Sequence, residues 1–347
     1  MFQLTPSLDS GDASSALRKL INADVNADLF RSAIQRLQTR FNIYSSTCPA
    51  PFIAPGLIVT AEIRRQSELY LPIAEITGIF NRLYRSALSY SPILSSTPFQ
   101  NALSWADLFI ELPPRFQAIV NPALLVEKLL NDPGFLMEFM FASFLPGRFY
   151  GGFGRYPDQE RFIRKWLAQQ QKMPLRCLDA ACGTGEDCYG LANLLTERGN
   201  DLEGVRIEGW TIEPLEVWAA AHCCFPDDRQ REVKFRKKTS RLFEMGYNSR
   251  VSFRCANLTN PPPAEPFDLI LCNGLLGGPI VNELLELKRV VSSLASLLAP
   301  GGIMLAADSF HGGWKQQCPQ QELRALLEMN GLKTFQAGEG IGGLKPY

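Results

Sequence analysis

Two regions of the chain carry different hydrophobic periods. In the first, apolar residues recur at helical spacing. Phe30, Ile34, Leu37 and Phe41 are four, three and four apart, and Ile73, Ile76, Phe80 and Leu83 line one face in the same way. Asn121-Pro122 reads as a helix N-cap followed by proline at the first helical position, ahead of "ALLVEKLL". Proline-rich breaks such as "STCPAPFIAPG" and "ELPPRF" separate these segments. The pattern predicts a flexible N-terminus over 1–11 and a helical domain over 12–145. An ordered joint over 146–164 carries "LPGRFYGGFGRYP", whose aromatics are expected to pack on a neighbour and which could act as a lid.

In the second region, 165–347, short apolar strands alternate with amphipathic helices. "LRCLDA", "VRIEGWTI", "VSFRCANL", "FDLILCNG", "GGIMLAADSF" and "LKTFQAG" read as strands. "DCYGLANLLTER", "LEVWAAAHCC", "NELLELKRVVSSLASLL" and "CPQQELRALLEMNG" read as helices. This alternation predicts an α/β fold, a mostly parallel sheet with helices on both faces. Ligands of such sheets sit beyond the carboxyl ends of the strands, where strand order reverses.

Composition narrows the class. Of 347 residues, 46% are hydrophobic and 20% charged, and the formal net charge is zero, so a globular chain is expected and nucleic acid is disfavoured as a partner. No apolar run is long enough for a bilayer and no signal pattern opens the sequence, so a cytoplasmic protein without membrane association is expected. Nine cysteines without a C-x-x-C pair read as buried reduced thiols, with no metal site expected. One run stands out from the neutral background: "RQREVKFRKKTSR", Arg229 to Arg241, is strongly basic. It reads as a solvated face or as a surface for an acidic partner.

The candidate chemistry lies in "CLDAACGTGED", Cys177 to Asp187. The run lacks the lysine of a phosphate-binding P-loop and the third small position of a dinucleotide turn. Glu186 and Asp187 would repel a pyrophosphate at the helix start. Asp179 at the strand end and Glu186 at the helix start instead suit a ligand that is cationic or rich in hydroxyls. Small residues at Ala181, Gly183 and Gly185 permit close backbone approach, with Ala180 completing the turn. A sulfonium with an amino-acid tail and a ribose, as in S-adenosylmethionine, fits these charges. A plain strand-to-helix corner is the competing reading.

"LDAACGTGED" resembles the first motif of class I S-adenosylmethionine-dependent methyltransferases. "EGWTIEPLEVWAAA", "CANL", "FDLILCNG" and "LLAPGGIMLAAD" follow in that family's order. The resemblance covers about 165 to 340 and implies a Rossmann-like sheet, S-adenosylmethionine as cofactor and S-adenosylhomocysteine as product. "GTGEDCYGLANLL", "VSFRCANL" and "FDLILCN" are most similar to the chemotaxis-receptor (protein-glutamate) type. That resemblance implies that Glu186, Asn257, Leu258 and Asn273, with the adjoining Gly274, line the cofactor site. It also matches Arg155 to an upstream arginine, and it places a docking subdomain near the basic run.

The chain departs from the family at the end of its second strand, where Thr211 replaces the usual ribose-binding acid. Glu213, two residues on and beyond Ile212, is the nearest carboxylate and faces the same side of an extended strand. "GLLGGP" replaces the family's polar and aromatic run after the fourth strand. Methyl transfer needs mainly alignment and exclusion of water, so no strong catalytic signature is required. Tyr189 and Arg155 are candidates to orient an acceptor or the cofactor tail. His311 is the positional candidate for a base, and His222 reads as structural. The resulting expectation is a methyltransferase acting on a protein carboxylate or a small molecule. A methyltransferase fold that binds the cofactor without turnover is the alternative, and a dehydrogenase is a weaker third.

Overall fold

A computed structural model describes residues 2–48, 53–145, 152–170, 174–197, 204–278, 281–307 and 318–347. The chain divides into two compact units. One holds 14–149 with 225–229, and the other holds 1–13, 150–224 and 230–347.

The first unit is helical, as the period predicts. Its helices include α1 (Arg31–Thr47), α2 (Ala61–Tyr70), α3 (Ile73–Ala87), α4 (Trp105–Glu111), α5 (Pro122–Asn131) and α6 (Pro133–Phe144). Asn121 caps α5, its Oδ1 accepting from the Ala123 amide at 2.9 Å, with Pro122 at the first position. Phe30 is the exception: it is the N-cap of α1 rather than part of it, though still fully buried. The core is aromatic. Phe139 contacts Phe80, Tyr84, Phe99 and Phe116, with ring centroids 5.2 to 6.1 Å apart.

The second unit is one eight-stranded sheet, ordered β1-β4-β3-β2-β5-β6-β8-β7. Its strands are β1 (Gln3–Leu4), β2 (Leu175–Asp179), β3 (Val205–Thr211), β4 (Val251–Cys255), β5 (Phe267–Leu271), β6 (Leu298–Ala307), β7 (Lys333–Ala337) and β8 (Gly340–Leu344). Strands β4, β3, β2, β5 and β6 are parallel, while β1 and β8 pair antiparallel with their neighbours. The helices are α7 (Pro157–Gln169), α8 (Glu186–Thr196), α9 (Pro214–His222), α10 (Arg229–Glu244), α11 (Leu284–Leu297) and α12 (Gln320–Met329). The central strands are near-continuously apolar because both faces are covered.

The N-terminus is not the loose segment expected over 1–11. Gln3 and Leu4 pair with Arg254 and Phe253, and the segment that follows is tied to α9. The Trp218 indole donates to the Ala13 carbonyl at 2.8 Å, and His222 Nδ1 bonds the Ser7 carbonyl at 2.9 Å. His222 therefore has the structural role expected of it. The joint carries the start of α7, and Phe153 packs edge-on against Phe235 of α10 at 5.0 Å. Residues 146–151 of the joint, and with them a lid role, lie outside the described residues.

Candidate cofactor site

Strand order reverses between β2 and β5, and the glycine turn leaves the carboxyl end of β2 at that point. The Ala180 amide donates to Leu271 of β5 at 2.7 Å, and the Cys182 amide donates to Trp210 of β3 at 3.0 Å. The turn is thus fixed to both neighbouring strands. Gly183 and Gly185 have φ of 50° and 90°, a region that disfavours side chains. A Cβ on Gly185 would stand 2.9 Å from the Phe253 ring, and one on Gly209 in β3 would stand 2.8 Å from the Cys188 sulfur. These two glycines let α8 start close against the sheet.

That closeness buries acids. Asp179 is 1% exposed. Its carboxyl accepts from the Ala181 amide and from the Cys188 thiol, both at 3.4 Å. Burial pushes its pKa well above the usual carboxylate range, and the charge of Asp187 pushes the same way. Burial also raises Asp187, against a hydrogen bond from Asn273 and the nearby positive charge of Arg155.

Asn273, just past β5, is the hub of the site. Its Nδ2 donates to Asp187 at 3.0 Å and to Gln159 at 2.8 Å. Its Oδ1 accepts from Gln159 Nε2 at 3.0 Å and from the Ala307 amide at 3.1 Å. Gln159 lies in the first turn of α7, where the Glu339 carboxylate accepts from the Asp158 and Gln159 amides at 2.9 and 2.8 Å. Arg155 precedes that helix. Its guanidinium stacks on Tyr156 at 5.1 Å and lies 3.5 Å from where a Cβ on Gly274 would stand. The structure therefore brings Asp179, Arg155, Asn273 and Gly274 near one another around Asp187.

Glu186 is also at the turn, but it is engaged. The Thr184 hydroxyl donates to it at 2.7 Å, and Arg231 donates at 3.0 Å. Arg231 belongs to the basic run, which is the helix α10. Phe235, Thr239 and Leu242 are its buried stripe, while Lys234, Lys237, Lys238 and Arg241 are exposed. The run is thus not wholly a solvated face: it forms one helix, with no strand between α9 and β4.

At the end of β3, the Thr211 hydroxyl bonds the Glu216 carboxylate. Glu213 is not aimed as a strand residue would be. It is the N-cap of α9, its Oε1 accepting from the Leu215 amide at 3.1 Å. Ile212 is half-exposed, and its carbonyl accepts from the Cys255 thiol at 3.2 Å. After β4, Leu258 is buried. Asn257 is exposed and closes a local turn, accepting from the Thr259 amide and hydroxyl at 2.9 and 2.8 Å.

Tyr189 is turned into the core. It is fully buried, its hydroxyl donates to the Ala220 carbonyl at 2.9 Å, and its ring packs against Phe235, Phe243 and Phe253. Its role is to pack α8 against α9 and α10, which removes the orienting role expected of it. His311 lies outside the described residues.

Sequence reasoning missed three site residues. Gln159 leaves no local signal, because its partner is 114 positions away. Asp187 enters the sequence reading only as a charge that disfavours a pyrophosphate. Glu216 was legible as the fourth residue of "EPLE", which places it one helical turn after the Glu213 cap.

The donor set fits a cationic, hydroxyl-bearing ligand. Two carboxyls whose pKa values are raised by burial stand beside a turn free of large side chains, and a positive group there would favour their charged form.

Residues 157–310 match the family model described as CheR methyltransferase, SAM binding domain. The chain is 29% identical over 168 residues to a probable biofilm formation methyltransferase, WspC, of Pseudomonas putida, covering 44% of this chain and 39% of that protein. It is 26% identical over 198 residues to the WspC of Pseudomonas aeruginosa, covering 51% and 44%. The chain thus spans less than half the length of these curated relatives. Among solved structures, the N-methyltransferase NodS of Bradyrhizobium japonicum with S-adenosyl-L-homocysteine is similar at 16% identity, covering 61% of this chain and 97% of that one with a TM-score of 0.37. Residues 157–310 are therefore similar to the SAM-binding domain of the CheR methyltransferase family, a class I fold, and the cofactor this similarity supports is S-adenosylmethionine.

Proposed function

We propose that the chain transfers the methyl group of S-adenosylmethionine to a carboxylate acceptor, in keeping with its similarity to the protein-glutamate type. A small-molecule acceptor is the other form of the same reading. The observation that carries it is the buried Asp179 and Asp187 at the strand-order reversal, with Asn273 bonded to Asp187 and in turn to Gln159. When bound, the cofactor supplies an electrophilic methyl on a good leaving group. The chain supplies the rest. Asp179 and Asp187 offer negative charge to the cationic portion. The Thr211–Glu216 pair offers a carboxylate to ribose hydroxyls, replacing the acid missing from β3. Arg155 is placed to hold a carboxylate, from the cofactor tail or from the acceptor. A carboxylate acceptor needs no general base, so the reaction requires alignment and exclusion of water alone.

The binding-only reading rests on Thr211 in place of an acid and on "GLLGGP" after the fourth strand; the Glu216 carboxylate bonded to Thr211 weighs against the first ground alone. The exposed basic face of α10 is proposed to dock an acidic partner, and the proposed compartment is the cytoplasm. Among the described residues no helix is long and apolar enough to cross a membrane.

The test is incubation with methyl-labelled S-adenosylmethionine and acidic protein or small-molecule acceptors. Label released as methanol by mild alkali is the expected result, because methyl esters hydrolyse. Cofactor binding without label transfer to any acceptor would return the binding-only reading.

A further inference from the structure

We propose a second binding site, for a phosphate-bearing small molecule, at the amino ends of β2, β3 and β4. A cavity of about 280 Å³ lies there, and its lining includes Arg176, Arg206, Arg250, Thr5 and Ser252. The cofactor turn lies at the other end of the same strands. Arg176 precedes Asp179 by three residues and Arg206 precedes Thr211 by five, which at the strand rise is about 10 and 17 Å. The two sites share no residue.

The fold sets the arginines side by side. Arg176 and Arg206 are paired in register on β2 and β3. Arg250 immediately precedes Val251, which pairs with Ile207, so it continues the same row on the next strand. Thr5 follows β1 at the edge of β4. No helix separates β4 from β5. The connection 256–266 carries Pro261, Pro262 and Pro263, which cannot supply a helical interior, so no covering helix follows β4.

The charges do not cancel. Glu208 binds Arg176 at 2.6 Å and accepts from the Trp210 indole at 3.1 Å, while Glu265 reaches Arg176 at 3.0 Å. Both carboxylates that line the cavity are thus bonded to Arg176, whose amide also donates to Asp268 at 2.9 Å, and the charge of Glu208 also acts on Arg254. Arg206 and Arg250 have no carboxylate partner among the described residues, and the hydroxyls of Thr5 and Ser252 have no hydrogen-bond partner there. Arg254, two residues beyond Ser252 on the same face, lies over Trp210 at 4.1 Å. Its Nε and Nη2 are buried without an acceptor. A phosphate, with two charges and several acceptor oxygens, matches two unpaired guanidinium groups and two hydroxyls better than a single carboxylate does. The volume suits a compact phosphorylated ligand, at the lower edge of small-molecule sites.

Calorimetric titration of the full chain with inorganic pyrophosphate, alone and with S-adenosylhomocysteine, tests this. Saturable one-to-one binding is expected. Arg206→Ser and Arg250→Ser should each weaken it at least tenfold, with unchanged thermal unfolding, and Lys288→Ser on the exposed face of α11 should not. Three results overturn the proposal: no saturable binding to the wild type; equal weakening by Lys288→Ser, which marks diffuse attraction; or arginine-dependent binding of a glutamate-rich peptide but not pyrophosphate, which marks a protein-docking surface. None depends on whether methyl transfer is found.

Discussion

The helical unit and the glycine turn both bury polar groups, yet they use them in opposite ways. In the helical unit the buried and half-buried groups that are paired stabilise the fold. The Tyr84 hydroxyl donates to Ser143 at 2.9 Å inside the aromatic core, and the Trp105 indole donates to the Val120 carbonyl at 2.9 Å. Arg64 grips Asp107 with two bonds of 2.8 and 2.9 Å. In the turn, Asp179 and Asp187 are buried with their charges opposed to each other. Such an arrangement costs stability without a ligand and is therefore kept for one.

The largest expected effect breaks the first side of this comparison. Phe139→Ala should cost about 3–5 kcal/mol by opening a cavity among four aromatic rings, read by denaturant unfolding of the helical unit. Cofactor binding by the other unit should change little. Next is Asn273→Ala, which removes bonds to Gln159, Asp187 and Ala307 at once. It should weaken S-adenosylhomocysteine binding by about 1–3 kcal/mol, measured by calorimetry. Glu216→Gln, which keeps the shape and removes the charge beside Thr211, should weaken binding by about 1 kcal/mol.

The pH response sharpens the contrast. The folded pKa values of Asp179 and Asp187 are raised, so their contribution is fully present below the unfolded carboxylate range. It is lost as pH rises through their folded values. Asp107 is held low by its bond from Arg64, so its contribution is present above the unfolded value. It is lost as pH falls through the lowered one. Hydrogen exchange across acidic to neutral pH should therefore show opposite slopes around α8 and α4. Asp107→Asn should flatten the second slope at a cost of about 0.5–1 kcal/mol. The same slope in both places would remove the distinction.

Much of this was legible in the sequence, for physical reasons. The 3.6 period of α3 and the strand–helix alternation reflect burial of local faces, which a single sequence displays. The turn was legible because Asp179, Gly183 and Gly185 are contiguous. What was not legible depends on long-range contact. Gln159 meets Asn273 only after the sheet assembles, and β1 is two residues whose partner strand lies some 250 positions away. Tyr189 illustrates the reverse failure. Its place in a motif pointed to the ligand, but the helical period turns it to the core beneath α9. Glu213 was misplaced because the strand ends at Thr211, so the alternation that would aim it at a ribose has stopped.

The central claim is that the turn's buried acids receive a cation. Calorimetry of S-adenosylmethionine and S-adenosylhomocysteine binding in two buffers of different ionisation enthalpy, at several pH values from acidic to neutral, tests it most directly. The account predicts release of protons as Asp179 and Asp187 ionise, more for the sulfonium than for the thioether, and loss of binding in Gly183→Arg. Binding with no proton exchange for either ligand, or binding that survives Gly183→Arg, would contradict it.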